Sequence, residues 1–342
     1  MKKILIIGAG AMGSAFSIPC VENKNDVTII GSVLEDDFIS SITSNKNLHP
    51  SLKVNLSEKI KIEKFRNIDS IIKDGVDLIV VAVSSAGINW VSDEISKFYK
   101  SNLPIVLLTK GLSVIDDQII TLNKKLEMIL KKNGHENINI SSVKGPCLAS
   151  GLANKMRTGT IIANKNIKEA EKIQKIIQTN YYKCELSDDV QGIEISSSIK
   201  NLYSMLIGGS QGLSNPSAPK VIQEKYYLNT AATLIHRSIS EMSKIVNYYS
   251  GKSDSVYGLG GLGDLYVSVS GGRNSLMGKY LGQGYLYSEA KKKFMKKITV
   301  EGAQLALEIG PKIKEKFDKD KFPLLFSILE CICDDKKLTI NW

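Results

Sequence analysis

Apolar positions in the first half of the chain fall in short runs separated by helical periodicities. Lys3 to Ile7, Asp26 to Ile30, Val76 to Val83, Pro104 to Thr109 and Ile138 to Val143 read as strands. The run from Val76 is apolar enough to be buried on both faces of a sheet. Ala11 to Glu22, Ile68 to Lys73, Trp90 to Tyr99 and Ile167 to Thr179 read as helices, and Asp116 to Lys132 as one amphipathic helix. Thr160 to Ala163 and Tyr182 to Leu186 are expected as edge strands. Strand and helix alternate, as a doubly wound parallel sheet requires. After about Asp189 strand signals nearly vanish. Long helical stripes follow, at Val190 to Gly208, Tyr226 to Tyr249 and Glu301 to Ile309. The expected architecture is α/β: an N-terminal Rossmann doubly wound sheet over 1–189, then an all-helical C-terminal domain over 190–342. A helix should enter the second domain directly, since no low-complexity linker marks the boundary.

Composition narrows the class. Hydrophobic residues make up 43% and charged residues 23%, ordinary for a chain that buries a core. No apolar run approaches the roughly 18 residues of a membrane span. Ile4-Leu5-Ile6-Ile7 after Met1-Lys2-Lys3 is too short for a signal-peptide core, so a cytoplasmic location is expected. The five cysteines form no CxxC pair, and His49, His135 and His236 stand apart, so neither a disulfide framework nor a metal site is expected. The formal charge is +10. Its lysines are spread over amphipathic stretches without interleaved aromatics. That pattern reads as a solvated surface and an attraction for anionic small molecules, not as a nucleic-acid footprint.

Gly8-x-Gly10-x-x-Gly13 follows a strand and opens a helix, the context in which this spacing binds a dinucleotide pyrophosphate. Glycines permit the turn and the close approach, and the helix N-terminus supplies N–H groups and a positive dipole end. The second strand should end near an acid for the adenosine ribose. It reads Ile30-Gly31-Ser32, with Glu35 late and no arginine in its place, so NAD and NADP both remain open. Lys110 and the turn Gly145-Pro146-Cys147 each follow a strand, at the edge where such sheets bind ligands, and Ala149 could offer a backbone group there. Cys147 has no histidine nearby in sequence and reads as a packing or backbone position. Lys200 lies off the stripe Ile195, Ile199, Leu202, Tyr203 and Leu206, among Ser196, Ser197 and Ser204. That face suits a ligand site and a plain wet surface equally. The glycine-dense stretch from Gly258 to Asp264 is followed by Gly271-Gly272-Arg273-Asn274. Arg273 there can grip a phosphate bidentately, with a helix expected from Ser275.

The ordered series GAGAMG, TKGL, GPCLA, EISSSIKN, NTAATLIHRSISEM, GLGDL, GGRN and TVEG spans nearly the whole chain. It resembles the NAD(P)-dependent glycerol-3-phosphate dehydrogenase family. The resemblance implies reversible reduction of dihydroxyacetone phosphate to glycerol 3-phosphate with NAD or NADP, serving glycerophospholipid or glycerol metabolism. It implies Lys200 as the general acid/base, Lys110 as a second lysine touching substrate and cofactor, and Asp264 as a carboxylate near the reacting centre. It implies substrate contacts at Lys110, Gly145, Cys147, Ser268, Arg273 and Asn274. Cofactor contacts fall to Gly8, Gly10, Ala11, Met12, Gly13, Ser32, Lys110, Ala149, Arg273, Thr299 and Glu301. A homodimer is common among such relatives. The chain departs from the family at Met12, often aromatic, at Cys147, often serine, at Ser275, often basic, and across Ser32 to Ile60 with its His49-Pro50.

Two other readings compete. One is a related two-domain reductase of another keto acid or sugar phosphate, similar to ketopantoate reductase; a substrate without phosphate would need no grip from Arg273. A non-catalytic nucleotide sensor would keep the glycine loop and lose the acid/base residues, whereas Lys110, Lys200 and Asp264 are all present.

Overall fold

The computed structural model describes residues 1–213 and 220–341, and the side chains of 220–226 are left aside. The chain forms two compact units. Met1–Lys110 with Leu122–Val190 makes the first, and Gly111–Thr121 with the chain from Gln191 onward makes the second.

The first unit is built on an eight-stranded sheet. Its strands are β1 (Lys3–Ile7), β2 (Asp26–Ile30), β3 (Ile60–Glu63), β4 (Leu78–Val81), β5 (Pro104–Leu107), β6 (Asn139–Lys144), β7 (Thr158–Ala163) and β8 (Tyr182–Ser187). They lie in the order β3-β2-β1-β4-β5-β6-β7-β8. The first six places are the dinucleotide-binding order 3-2-1-4-5-6. β1 to β6 run parallel, β7 runs antiparallel to β6, and β8 runs parallel to β7. Of the two strands expected at an edge, only β8 is one. The opposite edge is β3, which lies in the stretch whose pattern gave no strand.

Strand side chains alternate between two cores. Ile4, Ile6, Val27, Ile29, Val80 and Val106 pack on one face, with Phe16 and Cys20 of the helix Ala11–Glu22 and Ile173 of Ile167–Ile177. Leu5, Ile7, Ile30, Ile79, Val81 and Leu107 pack on the other, with Val91 of Ile88–Ser96 and Leu126 of Leu122–Lys132. Each fully buried aliphatic side chain contributes about 1.5–3 kcal/mol relative to exposure. That is why the strand runs read as continuously apolar.

The helix expected over Asp116 to Lys132 is a correction. Leu112–Ile115 and Gln118–Thr121 form an antiparallel hairpin, and the helix begins only at Leu122. Asp116 and Asp117 both have positive φ, +46° and +63°, forming a two-residue turn whose twist suits a hairpin. The hairpin belongs to the second unit: Leu112 and Ile119 join that unit's core, and Ser113 Oγ donates to Glu308 at 2.9 Å.

The rest of the second unit is helical. Val190–Gly212 and Lys220–Tyr248 lead, followed by Arg273–Gly282, Glu301–Lys316 and Pro323–Cys333. The stripe Ile195, Ile199, Leu202, Tyr203 and Leu206 is buried in its core. Val190–Gly212 and Arg273–Gly282 meet backbone to backbone. A Cβ on Gly278 would stand 1.8 Å from the Met205 carbonyl oxygen, and one on Gly282 2.0 Å from that of Gly209. Only hydrogen side chains allow that crossing. No helix among the described residues is long and apolar enough to cross a membrane.

Candidate active site

In the first unit the glycine motif joins β1 to the helix Ala11–Glu22. Gly8 has φ +113°, and a Cβ there would sit 2.8 Å from the Ala82 carbonyl. A Cβ on Gly13 would sit 2.2 Å from the Gly8 oxygen, so this glycine lets the helix press onto the loop. A Cβ on Gly10 would meet nothing within 4 Å. Gly10 is the helix N-cap and supplies no side-chain bond, and the first-turn N–H groups of Ala11, Met12 and Gly13 have no intrahelical acceptor. Tight where the fold needs it and open at its crest, the loop fits a pyrophosphate. Ser32 and Glu35 meet beside it. Ser32 N–H donates to Glu35 Oε2 at 2.6 Å, and Ala9 N–H reaches the same oxygen at 3.5 Å.

His49, from the atypical segment, is fully buried behind this loop. Its Nδ1 accepts from Leu52 N–H at 3.2 Å, which leaves Nε2 to donate to the Ala9 carbonyl at 3.2 Å. Burial pulls its pKa below the usual imidazole value. Sequence reasoning set this histidine aside, and no local spacing would have flagged it.

At the carboxyl ends of β5 and β6, Lys110 Nζ donates to the Gly145 carbonyl at 3.4 Å. Cys147 N–H donates to the same oxygen at 2.8 Å. Gly145 has φ +138°, with a hypothetical Cβ 3.2 Å from Thr160 Cα. Lys110 and Cys147 therefore meet at the Gly145 carbonyl, and Ala149 opens the short helix after that turn. Lys144, not anticipated, is only 2% exposed. Its ammonium donates to the carbonyls of Leu107 at 3.1 Å and Thr109 at 2.6 Å, and so pins the strand end that carries Lys110. A lysine closing an expected strand just before a glycine was the available signal.

In the second unit Lys200 is 3% exposed. Its Nζ donates to Asp264 Oδ1 at 2.8 Å and to Ser268 Oγ. Asp264 and Ser268 lie four residues apart on the helix Asp264–Val269, and both are buried. Of the two readings of this face, the wet surface is excluded: Ser196, Ser197 and Ser204 are fully buried. A Cβ on Gly260 would lie 3.6 Å from Ser196 Oγ, so this glycine packs onto Ser196. A charge so buried is tolerable only when paired and hydrogen-bonded.

Arg273 and Glu301 are brought together, Nη2 to Oε1 at 2.9 Å, and both remain exposed. Asn274 is buried instead. Its amide donates to Asn201 Oδ1 at 2.9 Å, and its own Oδ1 accepts Gly302 N–H at 2.9 Å. It thus ties the residue after Lys200 to the start of Glu301–Lys316. Thr299 is exposed just before that helix. The helix expected from Ser275 begins at Arg273. Among the described residues no group of three or more His, Cys, Asp or Glu is placed to hold a metal ion.

Two family models cover most of the chain. The NAD-dependent glycerol-3-phosphate dehydrogenase N-terminus matches residues 3–170, and the C-terminus matches 189–340. The chain is 30% identical over 305 residues to a glycerol-3-phosphate dehydrogenase [NAD(P)+] of Fusobacterium nucleatum, covering 88% of this chain and 84% of that one. The chain belongs to the NAD-dependent glycerol-3-phosphate dehydrogenase family. An NADP(+)-dependent glycerol-3-phosphate dehydrogenase of Archaeoglobus fulgidus is 29% identical over 337 residues, covering 98% and 96%. The solved glycerol-3-phosphate dehydrogenase of Coxiella burnetii shares the fold at a TM-score of 0.81 and 22% identity, covering 98% and 96%. A Rossmann sheet followed by a helical domain is thus the architecture of the family and of this chain.

Proposed function

We propose that this chain is an oxidoreductase that reversibly reduces dihydroxyacetone phosphate to glycerol 3-phosphate with NADH or NADPH. Within a family of that activity, the carrying observation is Lys200, an ammonium held by Asp264 and Ser268 inside the helical unit. When bound, the nicotinamide exchanges a hydride with the substrate carbon. Lys200 holds the proton that the carbonyl oxygen takes up in reduction, and receives it back in oxidation. Asp264 keeps that lysine charged against the cost of burial and fixes its direction. Ser268 orients it from the same helix.

Lys110, set on the Gly145 carbonyl, is assigned to the substrate and the cofactor together, with Gly145 and Cys147 shaping the turn around the substrate. Arg273 is assigned to the substrate phosphate and cofactor, and Glu301 holds its guanidinium when the anion is absent. Asn274 has a supporting role in this reading, since its amide is engaged by Asn201 and Gly302. Gly8, Gly10, Ala11, Met12 and Gly13 take the pyrophosphate, with Ser32, Ala149 and Thr299 at the cofactor's margins. A cytoplasmic homodimer supplying glycerophospholipid or glycerol metabolism completes the proposal.

The test is the loss of reduced-cofactor absorbance at about 340 nm on adding dihydroxyacetone phosphate, with NADH and NADPH side by side. Turnover with either supports the reading. Absence of turnover with both overturns it.

A further inference from the structure

Glycine loops bind either dinucleotide, and what separates NAD from NADP is the adenosine ribose: a free 2′-hydroxyl or a 2′-phosphate. A carboxylate at the end of the second strand accepts hydrogen bonds from the hydroxyls. A cation there takes the phosphate. In sequence, Glu35 is too far beyond β2 to fill that place. The fold removes the distance. After Ile30 the chain turns sharply, with Glu35 N–H bonded to the Ser32 carbonyl at 3.0 Å. A Cβ on Gly31 would lie 3.2 Å from Glu35 Cβ, so the turn closes tightly on itself. The carboxylate returns to the strand end, where its Oε2 meets the N–H groups of Ser32 and Ala9. Oε2 is thus anchored at the junction of β2 and the glycine loop. Oε1 makes no hydrogen bond among the described residues, and the side chain is half-buried at the rim.

Two further observations agree. Leu34 is 91% exposed and Val33 56%, large apolar side chains left unpacked beside this carboxylate, as a wall for an adenine ring would be. From Gly31 to Asn45 the chain carries Glu35, Asp36 and Asp37 and no Lys, Arg or His. A 2′-phosphate, near two negative charges, would face the Glu35 carboxylate, with Asp36 and Asp37 next along the chain. Sheet register brings Lys64 and Arg66 alongside, on the chain leaving β3, since Gly31 N–H bonds the Glu63 carbonyl.

We propose that Glu35 is the cofactor-specificity residue of this enzyme, binding the adenosine ribose diol through its carboxylate and rejecting a 2′-phosphate, so that the chain selects NAD(H) over NADP(H). The assignment rests on the dinucleotide reading of the glycine loop and on nothing about the carbonyl substrate.

The experiment is a substrate-free titration of NADH, NADPH and 2′-deoxy-NADH, followed by nicotinamide fluorescence, on wild type, Glu35→Gln and the double variant Lys64→Ala/Arg66→Ala. NADH is expected to bind wild type roughly 10- to 100-fold tighter than NADPH, the scale of one like-charge clash. Glu35→Gln should weaken NADH and bring that ratio toward one. Loss of the 2′-hydroxyl should weaken binding to wild type far more than to Glu35→Gln, a coupling that a merely structural role would not produce. The double variant should leave the ratio unchanged. The proposal is overturned if wild type binds NADPH as tightly as NADH, if Glu35→Gln leaves the ratio unchanged, or if the double variant selectively loses NADPH. Failure of wild type to bind any of the three overturns the dinucleotide reading itself, a result separate from equal binding of two.

Discussion

The two units hold their working groups in opposite ways. In the first, the candidate pyrophosphate loop offers backbone: glycines at 8, 10 and 13, unsatisfied N–H groups at a helix start, and open space above Gly10. In the second, the candidate proton-transfer site offers side chains: an ammonium, a carboxylate and a hydroxyl sealed together at Lys200, Asp264 and Ser268. A pyrophosphate arrives with its own charge and needs only donors of fixed geometry. Proton transfer needs a titrating group kept in a chosen state, and burial with a partner provides that. The open site should therefore answer mainly to steric change at its glycines, and the sealed site to loss of a charge or of the packing around it.

The sharpest break in that comparison is Lys200→Ala. We expect kcat to fall by about 10²–10⁴, the usual contribution of a general acid/base, while NADH affinity in a fluorescence titration is unchanged. The variant also removes the ammonium that Asp264 meets at 2.8 Å, and losing one member of a buried pair costs stability. Denaturant unfolding should show it. If kcat hardly moves, the sealed site is structural and the contrast fails.

Arg273 comes next and tests whether the second unit also has an open, anion-facing part. Arg273→Ala should raise KM for dihydroxyacetone phosphate by roughly 10- to 100-fold, the worth of a hydrogen-bonded charge contact, with a smaller effect on kcat. Its exposed ion pair with Glu301 contributes little to stability, so the melting temperature should hold. An unchanged KM for every phosphorylated substrate would favour a carbonyl substrate without phosphate.

The same contrast explains what was legible in the sequence. The glycine motif and the apolar strands could be read because backbone recognition and two-faced burial leave local spacings. The Lys200 face stayed ambiguous because serines suit water and a dry interface alike. What decides is Gly260 packing against Ser196 from more than sixty positions away, a fact of tertiary structure. The second strand of the 112–121 hairpin reads as the start of a helix because Ile119, Leu122, Leu126 and Leu130 keep one helical spacing. The signal passed over was an Asp-Asp pair between two short apolar runs, residues that tolerate positive φ. Glu35 and His49 escaped because each works by folding back onto the glycine loop, which no local pattern records.

A smaller effect belongs to the helix crossing that supports the sealed site. A Cβ on Gly278 falls 1.8 Å from the Met205 oxygen. Gly278→Ala must push the two helices apart, at about 1–3 kcal/mol for overpacking. Asn201 and Asn274 lie on these helices, so their hydrogen bond should stretch and kcat should drop with stability. Unaltered unfolding by denaturant would mean the crossing has slack.

The smallest expected effect returns to the open site. His49 supports the glycine loop as a neutral ring: Nδ1 accepts from Leu52 N–H while Nε2 donates to the Ala9 carbonyl. A second proton would turn Nδ1 into a donor facing a donor. Burial accordingly lowers the pKa of the folded state below the ordinary 6.5. The unfolded chain then takes up the proton first, so stability is intact above that value and declines as pH falls below it. His49→Gln can keep a donor to Ala9 without titrating there. Between pH 8 and 5.5 the wild type should lose more stability in urea than the variant. Parallel curves would show that the loop needs no neutral imidazole, and that the open site owes its shape to its glycines.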